Sequence, residues 1–350
     1  MVQQGMDSQT TDNRQPTTRI PALDAFRGAT VASMLLVNNP GTWSAIYWPL
    51  RHAEWHGWTP TDLIFPFFLF VVGITTELSR KEPKGILRRG ALIVLCGVFL
   101  HLFPYFRFDT LRWMGVLQRI GIVYIVAALI AWKASRRTMV ILVAVILLGY
   151  WGVLTRGPLE PPEATVAAAV DRALIPEPHL WKQAKTWDPE GPLSTVPAIA
   201  TALLGVLVAR WVKERNVRTL AVAGVLGIAV GLAWGLVFPI NKSLWTSSYV
   251  VLTAGFACVI LAIWMKGLPA KPFDVFGLNP LVAFVGTGMM ARLLGIIKVD
   301  GVSLQALSYR TLFKPYFEPQ LASLLWALTF VAVWYAILGL LHWKRIYLRV

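Results

Sequence analysis

From residue 21 to residue 341 the chain is a succession of long apolar stretches broken by short polar connections. A hydrocarbon layer about 30 Å thick is crossed by roughly 20 mostly apolar residues in a helix, since a helix satisfies its own backbone donors and acceptors inside lipid. Ten stretches approach that length, at 21–40, 61–79, 86–105, 113–132, 137–155, 193–211, 218–238, 245–265, 275–297 and 321–341. The expected fold class is therefore all-α, a polytopic transmembrane helix bundle of about 10 spans. Composition agrees: 56% of residues are hydrophobic, only 15% are charged and the mean hydropathy is +0.58. The 16 Trp, 17 Phe and 9 Tyr suit the membrane boundary, where a ring buries its body and keeps its polar edge wet.

An even number of spans puts both termini on one side, and Lys and Arg decide which. Nineteen of the 33 fall in the tails and in the short connections on one side, including Arg80 to Arg89, Lys133 to Arg137 and Arg210 to Arg218. Eleven are spread over longer loops on the other side, and Arg27, Arg119 and Arg292 lie within spans. Both termini are expected in the cytoplasm. The net charge of +15 is then a matter of topology; no nucleic-acid motif accompanies it, and no nucleic-acid partner is expected. Residues 1–20 lack the apolar core of a signal peptide and read as a disordered cytoplasmic tail, with 342–350 a second tail. Residues 156–192, rich in Pro, Asp, Glu and Trp, read as a folded periplasmic cap on a transmembrane domain at 21–341. Cys96 and Cys258 sit inside apolar runs, which excludes a disulfide framework and paired-thiolate zinc sites.

The polar chemistry collects at the outward ends of the spans. At the inner end of span 1, Asp24 and Arg27 stand three residues apart on one face, either as a mutual ion pair or with Arg27 also meeting an anionic ligand. Asn38 and Asn39 precede Pro40-Gly41, which stop the helix; their amides either satisfy loose backbone groups or orient a reacting group. The densest segment runs from His52 to Asp62, with Glu54, Trp55, His56 and Trp58 between them. Its histidine spacing lacks HExxH order and a third ligand, so no metal is expected. A neutral imidazole can accept a proton from an attacking amine or hydroxyl, and Asp62 could hold that ring, although Thr59 to Asp62 also resembles an ordinary helix start. Gln118 and Arg119 in span 4 need partners, either acids on neighbouring helices or a ligand's phosphate and carbonyl oxygens. Two further polar segments, Trp187 to Thr195 and Pro239 to Tyr249, carry Asp188, Glu190, Asn241 and Lys242, and Asn279-Pro280 interrupts the start of span 9.

Seven blocks in order, LDAFRG (23–28), VNNPG (37–41), HAEWHGWTPTDLIFPFFLFVVG (52–73), GVLQRIGIVY (115–124), DPEGPLSTVPAI (188–199), NKSLWTSSYV (241–250) and GLNPL (277–281), resemble the heparan-alpha-glucosaminide N-acetyltransferase family and its bacterial NagX-type membrane relatives. The resemblance implies an acetyl-CoA-dependent transfer to the amine of a glucosamine-type sugar in a bacterial inner membrane, by a chain in contact with lipid and able to form a homodimer. It puts the family's active histidine on His52 and its partner asparagine on Asn38, with Asp62 a supporting acid and Asp188 and Glu190 sugar ligands. Asn241, Lys242 and Trp55 join the expected sugar contacts, while Arg27, Arg119 and Gln118 are the expected contacts for the anionic cofactor. The chemistry stands beside the name: a neutral His52 takes the amine proton while the Asn38 amide donates to the developing oxyanion, or His52 itself carries the acetyl group. A sugar permease and an O-acetyltransferase of envelope polysaccharide are the competing readings.

Overall fold

The structure, a computed structural model, describes residues 20–347, so the expected amino-terminal tail lies outside the described residues apart from Ile20. It is a polytopic transmembrane helix bundle. In chain order the helices are α1 (Pro21–Asn38), α2 (Ile64–Leu78), α3 (Pro83–Leu102), α4 (Val116–Lys133), α5 (Arg136–Leu154), α6 (Val166–Leu174), α7 (Pro192–Lys213), α8 (Val217–Gly235), α9 (Ser247–Met265), α10 (Asp274–Leu278), α11 (Pro280–Ile296), α12 (Leu304–Leu312) and α13 (Pro319–Trp343). A two-residue hairpin, Lys298–Val299 against Val302–Ser303, precedes α12. Proline opens α1, α3, α7, α11 and α13, where its missing N–H costs nothing and its fixed φ suits the first turn. Ser135 and Asn216 cap α5 and α8 just after the basic turns, each accepting a backbone N–H three residues on.

Eight helices among the described residues are long and apolar enough to cross a membrane, and each falls on an expected stretch. The other two expected spans differ in kind. One is α1, which carries Asp24 and Arg27 in its first two turns. The other is broken at Asn279 into the five-residue α10 and the 17-residue α11, the interruption that Asn279-Pro280 signals in the sequence. The last helix also runs past residue 341 to Trp343, and the chain then folds back so that the Ile346 carbonyl accepts from Asn279 Nδ2 at 3.1 Å.

Burial sorts the helices by position: α7 has 72% of its apolar window buried and α8 only 17%. So α7 is the central post, packed against α2, α4, α5 and α9, while α8 lies chiefly against α9, with a lesser contact to α7, and leaves its other faces exposed. Close approach between α2 and α7 depends on two glycines. A Cβ on Gly73 would lie 1.9 Å from the Ala202 carbonyl oxygen, and one on Gly205 would lie 2.1 Å from that of Phe70. Small residues at helix crossings replace the hydrophobic drive that lipid cannot supply. The segment 155–191 is a folded cap: Thr165 caps α6, and Arg172 Nη1 donates to the carbonyls of Glu163 at 2.8 Å and Thr186 at 3.2 Å.

Candidate active site

A cavity of about 1170 Å³ runs through the bundle. At one end it is lined by Ile20, Lys81, Arg89, Lys213, Arg215 and Tyr347, and at the other by Asn38, His52, Glu190 and Lys242. The walls between are largely apolar, with Thr30 of α1, Phe65 and Phe68 of α2, and Leu117 and Ile120 of α4. The 18 residues of α1 flank its length, about 27 Å at 1.5 Å per residue.

The His52 end is built by a short loop locked at three points. Thr59 is the cap of a 3-10 turn at Pro60–Leu63, and its hydroxyl donates to the Arg51 carbonyl at 2.5 Å. Thr61 Oγ1 donates to the Pro49 carbonyl at 3.0 Å, and Gly57 N–H donates to Ile240 O at 2.8 Å, tying the loop to the segment before α9. Asp62 has two jobs. Its Oδ2 accepts the Ala53 N–H at 2.9 Å and the Thr59 N–H at 3.1 Å, closing the capping box. Its Oδ1 stands 2.7 Å from His52 Nδ1. The helix-start reading and the ring-holding reading of Asp62 are therefore both realised by one side chain that is 1% exposed. Oxygen and nitrogen at this separation need a proton between them, so His52 carries it on Nδ1, and in the neutral ring the lone pair is then on Nε2.

Lys242 approaches the same ring, its Nζ 2.9 Å from Nδ1, 3.4 Å from Nε2 and 3.4 Å from Asp62 Oδ1. Burial draws its ammonium below the usual lysine range, opposed by the charges of Asp62 and Glu190. Asn38, at the end of α1, is exposed and shares the cavity wall with His52. Asn39 turns back instead, donating to the Leu35 carbonyl at 2.8 Å. The two amides thus divide the alternatives left by the sequence: Asn39 satisfies backbone, and Asn38 faces the cavity.

The other expected contacts are distributed unevenly. Glu190 reaches the cavity; Asp188 does not, being buried against Arg112. Arg112 Nη2 lies 2.5 Å from Asp188 Oδ1 and 2.5 Å from Glu190 Oε2, which holds the cap to the loop before α4. Those two carboxylates hold the Arg112 guanidinium well above its ordinary range despite the burial that opposes it. Asn241 is fully buried, its amide bonded to Trp55 O at 2.9 Å and to the Leu244 N–H at 2.8 Å, so it shapes the loop that delivers Lys242. Trp55 packs edge-on against Trp187 at 5.4 Å and donates to Leu159 O at 2.9 Å.

Arg27 lines the cavity and pairs with Asp24 at 2.7 Å, the ion pair expected from their spacing. Gln118 and Arg119, the other expected contacts for an anionic cofactor, are not among the residues that line it. Arg119 is wholly buried; it donates to the Ser194 hydroxyl, to Pro189 O at 2.9 Å and to Thr195 Oγ1 at 3.2 Å, and it lies over the Trp245 ring at 5.0 Å. It belongs to the start of α7. Gln118 points toward Gly97 and Gly115, where an added Cβ would meet its Oε1 at 2.4 and 2.9 Å. The cations at the far end of the cavity were counted in the sequence only as topology markers: Lys81, Arg89, Lys213 and Arg215. Lys81 is pulled below the usual lysine range by burial and then by its neighbours Arg89 and Arg88, the mark of cations crowded with too few acids. Their grouping depends on which helix ends meet in space, and no spacing along the chain carries it.

Residues 19–233, more than half the chain, match the family described as heparan-alpha-glucosaminide N-acetyltransferase, catalytic. Among curated proteins, the chain is 28% identical to heparan-alpha-glucosaminide N-acetyltransferase of Homo sapiens, over 77% of this chain and 52% of that protein. It is likewise 28% identical to the Mus musculus protein of the same name, over 80% of this chain and 55% of that one. The chain thus spans about half the length of the curated relatives it matches. The matched span covers the His52 loop, α4 and the start of α7, and stops short of Lys242.

Proposed function

The chain belongs to the heparan-alpha-glucosaminide N-acetyltransferase catalytic family, and from that premise we propose that it moves an acetyl group from acetyl-CoA to the amine of a glucosamine-type sugar. The observation that carries this reading is one cavity with a cationic mouth at one end and a His–Asp pair at the other. Acetyl-CoA is a long donor with phosphates at one end and a thioester at the other, and its two ends ask for these two environments. The phosphates lie with Lys81, Arg89, Lys213 and Arg215, on the cytoplasmic side that the Lys and Arg distribution favours; the arm follows the apolar walls; the thioester reaches Asn38 and His52. The sugar enters from the opposite side, beneath the cap, where Glu190 faces the cavity.

Attack on a thioester requires an uncharged amine and leaves negative charge on the carbonyl oxygen. His52 Nε2, freed by the Nδ1–Asp62 bond, accepts the amine proton, and the Asn38 amide donates to the oxyanion. His52 can alternatively take the acetyl group first and pass it on. A sugar permease would also use a cavity that runs through the bundle. The deciding experiment is CoA-thiol release by purified protein with a panel of amino sugars and hydroxyl-only sugars. Release only with both substrates, with an N-acetyl product, supports the reading. Labelled glucosamine carried across unchanged without acetyl-CoA marks the permease, and acetylated hydroxyl-only sugars mark the O-acetyltransferase.

A further inference from the structure

We propose that Lys242 is a self-acetylation site, its side-chain amine taking the acetyl group from the donor thioester when no sugar amine occupies the His52 end of the cavity. The proposal rests on the acetyltransferase reading for its donor, acetyl-CoA. It begins from a count of hydrogens around one imidazole. His52 Nδ1 is bonded to Asp62 Oδ1 at 2.7 Å, so that nitrogen holds its hydrogen and has no lone pair for a second donor. Yet Lys242 Nζ lies 2.9 Å from the same nitrogen.

An ammonium there faces an N–H. Its remaining acceptors are Asp62 Oδ1 and His52 Nε2, both at 3.4 Å, well beyond the 2.7–2.9 Å of a charge-assisted hydrogen bond. A neutral amine fits better, because its lone pair can share the Nδ1 hydrogen with Asp62. The surrounding charges act the other way, since Asp62 and Glu190 favour the ammonium and only Arg119, across the His52 ring, disfavours it. Burial in this cavity wall outweighs them and draws the lysine below its usual range.

A neutral primary amine beside the group that receives the thioester is chemically an acceptor like the sugar amine, and it is always present. The step balances without a further reagent. Lys242 Nζ attacks the thioester carbonyl carbon, the new C–N bond forms as the C–S bond breaks, and the nitrogen's proton passes through His52 Nε2 to the departing sulfur. The products are an amide on Lys242 and free CoA thiol. The sugar amine competes for the same position, so acceptor protects the lysine. The amide cannot be protonated and adds bulk beside His52, so an enzyme left with donor alone switches itself off.

The test uses the intact chain in detergent, incubated with acetyl-CoA with and without glucosamine and read by peptide mass spectrometry after hydroxylamine treatment. Hydroxylamine strips an acetyl-imidazole from His52 and leaves a lysine amide. The expected result is an acetyl group on Lys242 at least tenfold above that on Lys84 or Lys298, the proximity advantage of a held amine. Glucosamine should suppress it, and the modified protein should lose CoA release in proportion. In His52→Ala the modification should slow, which a merely accessible lysine would not do. A chain that releases CoA with glucosamine while Lys242 stays unmodified overturns the proposal and leaves the acetyltransferase reading standing. A chain that neither releases CoA nor gains the acetyl group overturns both.

Discussion

His52 is placed by a single carboxylate, and its substitutions separate chemistry from scaffolding. Asp62 closes a helix cap and holds the ring, so Asp62→Ala should lose both; Asp62→Asn keeps an acceptor for Thr59 and Ala53 and loses the ionic hold on Nδ1. His52→Ala should lower kcat for CoA release by about 10²–10⁴, the usual worth of a positioned base, with little change in KM for the sugar. Asn38→Ala should cost about 10²–10³ in kcat if its amide meets the oxyanion. Steady-state kinetics with both substrates varied checks the two; a rise in KM alone would make either residue a binding group. A second carboxylate makes a pH prediction. Burial pushes Asp171 up to about 7, with the Asp188 charge adding to it and the Asp188 N–H, Arg119 and Arg172 opposing. Because the folded value lies above the ordinary carboxylate value, the stability linked to this group is whole below about pH 4 and is lost as pH rises through 7. Asp171→Asn should therefore gain on the parent by a few kcal/mol, as an upper bound of order, between pH 5 and pH 8. Parallel thermal midpoints for the two proteins across that range would contradict it.

Among the elements, the packing of α2 on α7 is the most exacting. Gly73→Ala must separate two helices whose backbones touch at Ala202, at a cost of about 1–3 kcal/mol. Gly149→Ala in α5 meets nothing within 4 Å and should stabilise by roughly the 0.8–1 kcal/mol difference in helix propensity. Thermal unfolding in one detergent compares the pair. Eight of the ten expected spans were legible in the sequence because lipid imposes length and apolarity, and because prolines and caps mark the turns; the break at Asn279-Pro280 was legible for the same reason. Side-chain partners were legible only when they lie close along the chain, as Asp24 with Arg27 and Thr59 with Asp62 do. The partners of Arg119, namely Pro189, Ser194 and Thr195, were not legible because they are some seventy residues away and present hydroxyls and carbonyls rather than acids. Arg112, which ties Asp188 and Glu190 together, gave no signal beyond its charge.

Across the whole molecule, the proposed reaction uses one cavity for two substrates that arrive from opposite sides. Its cationic mouth should control the donor alone. Reversing charge at Lys81 and Arg215, Lys81→Glu with Arg215→Glu, should raise KM for acetyl-CoA by about tenfold or more, leave KM for the sugar unchanged, and weaken as salt screens the mouth. Filling the middle, Thr30→Trp, should abolish donor access while the His52 end remains intact. The most direct measurement uses sealed proteoliposomes with acetyl-CoA trapped inside and glucosamine supplied only outside. N-acetylglucosamine should appear in the outer medium and CoA thiol in the lumen, with His52→Ala inactive. Product formed only when both substrates share one side would contradict it.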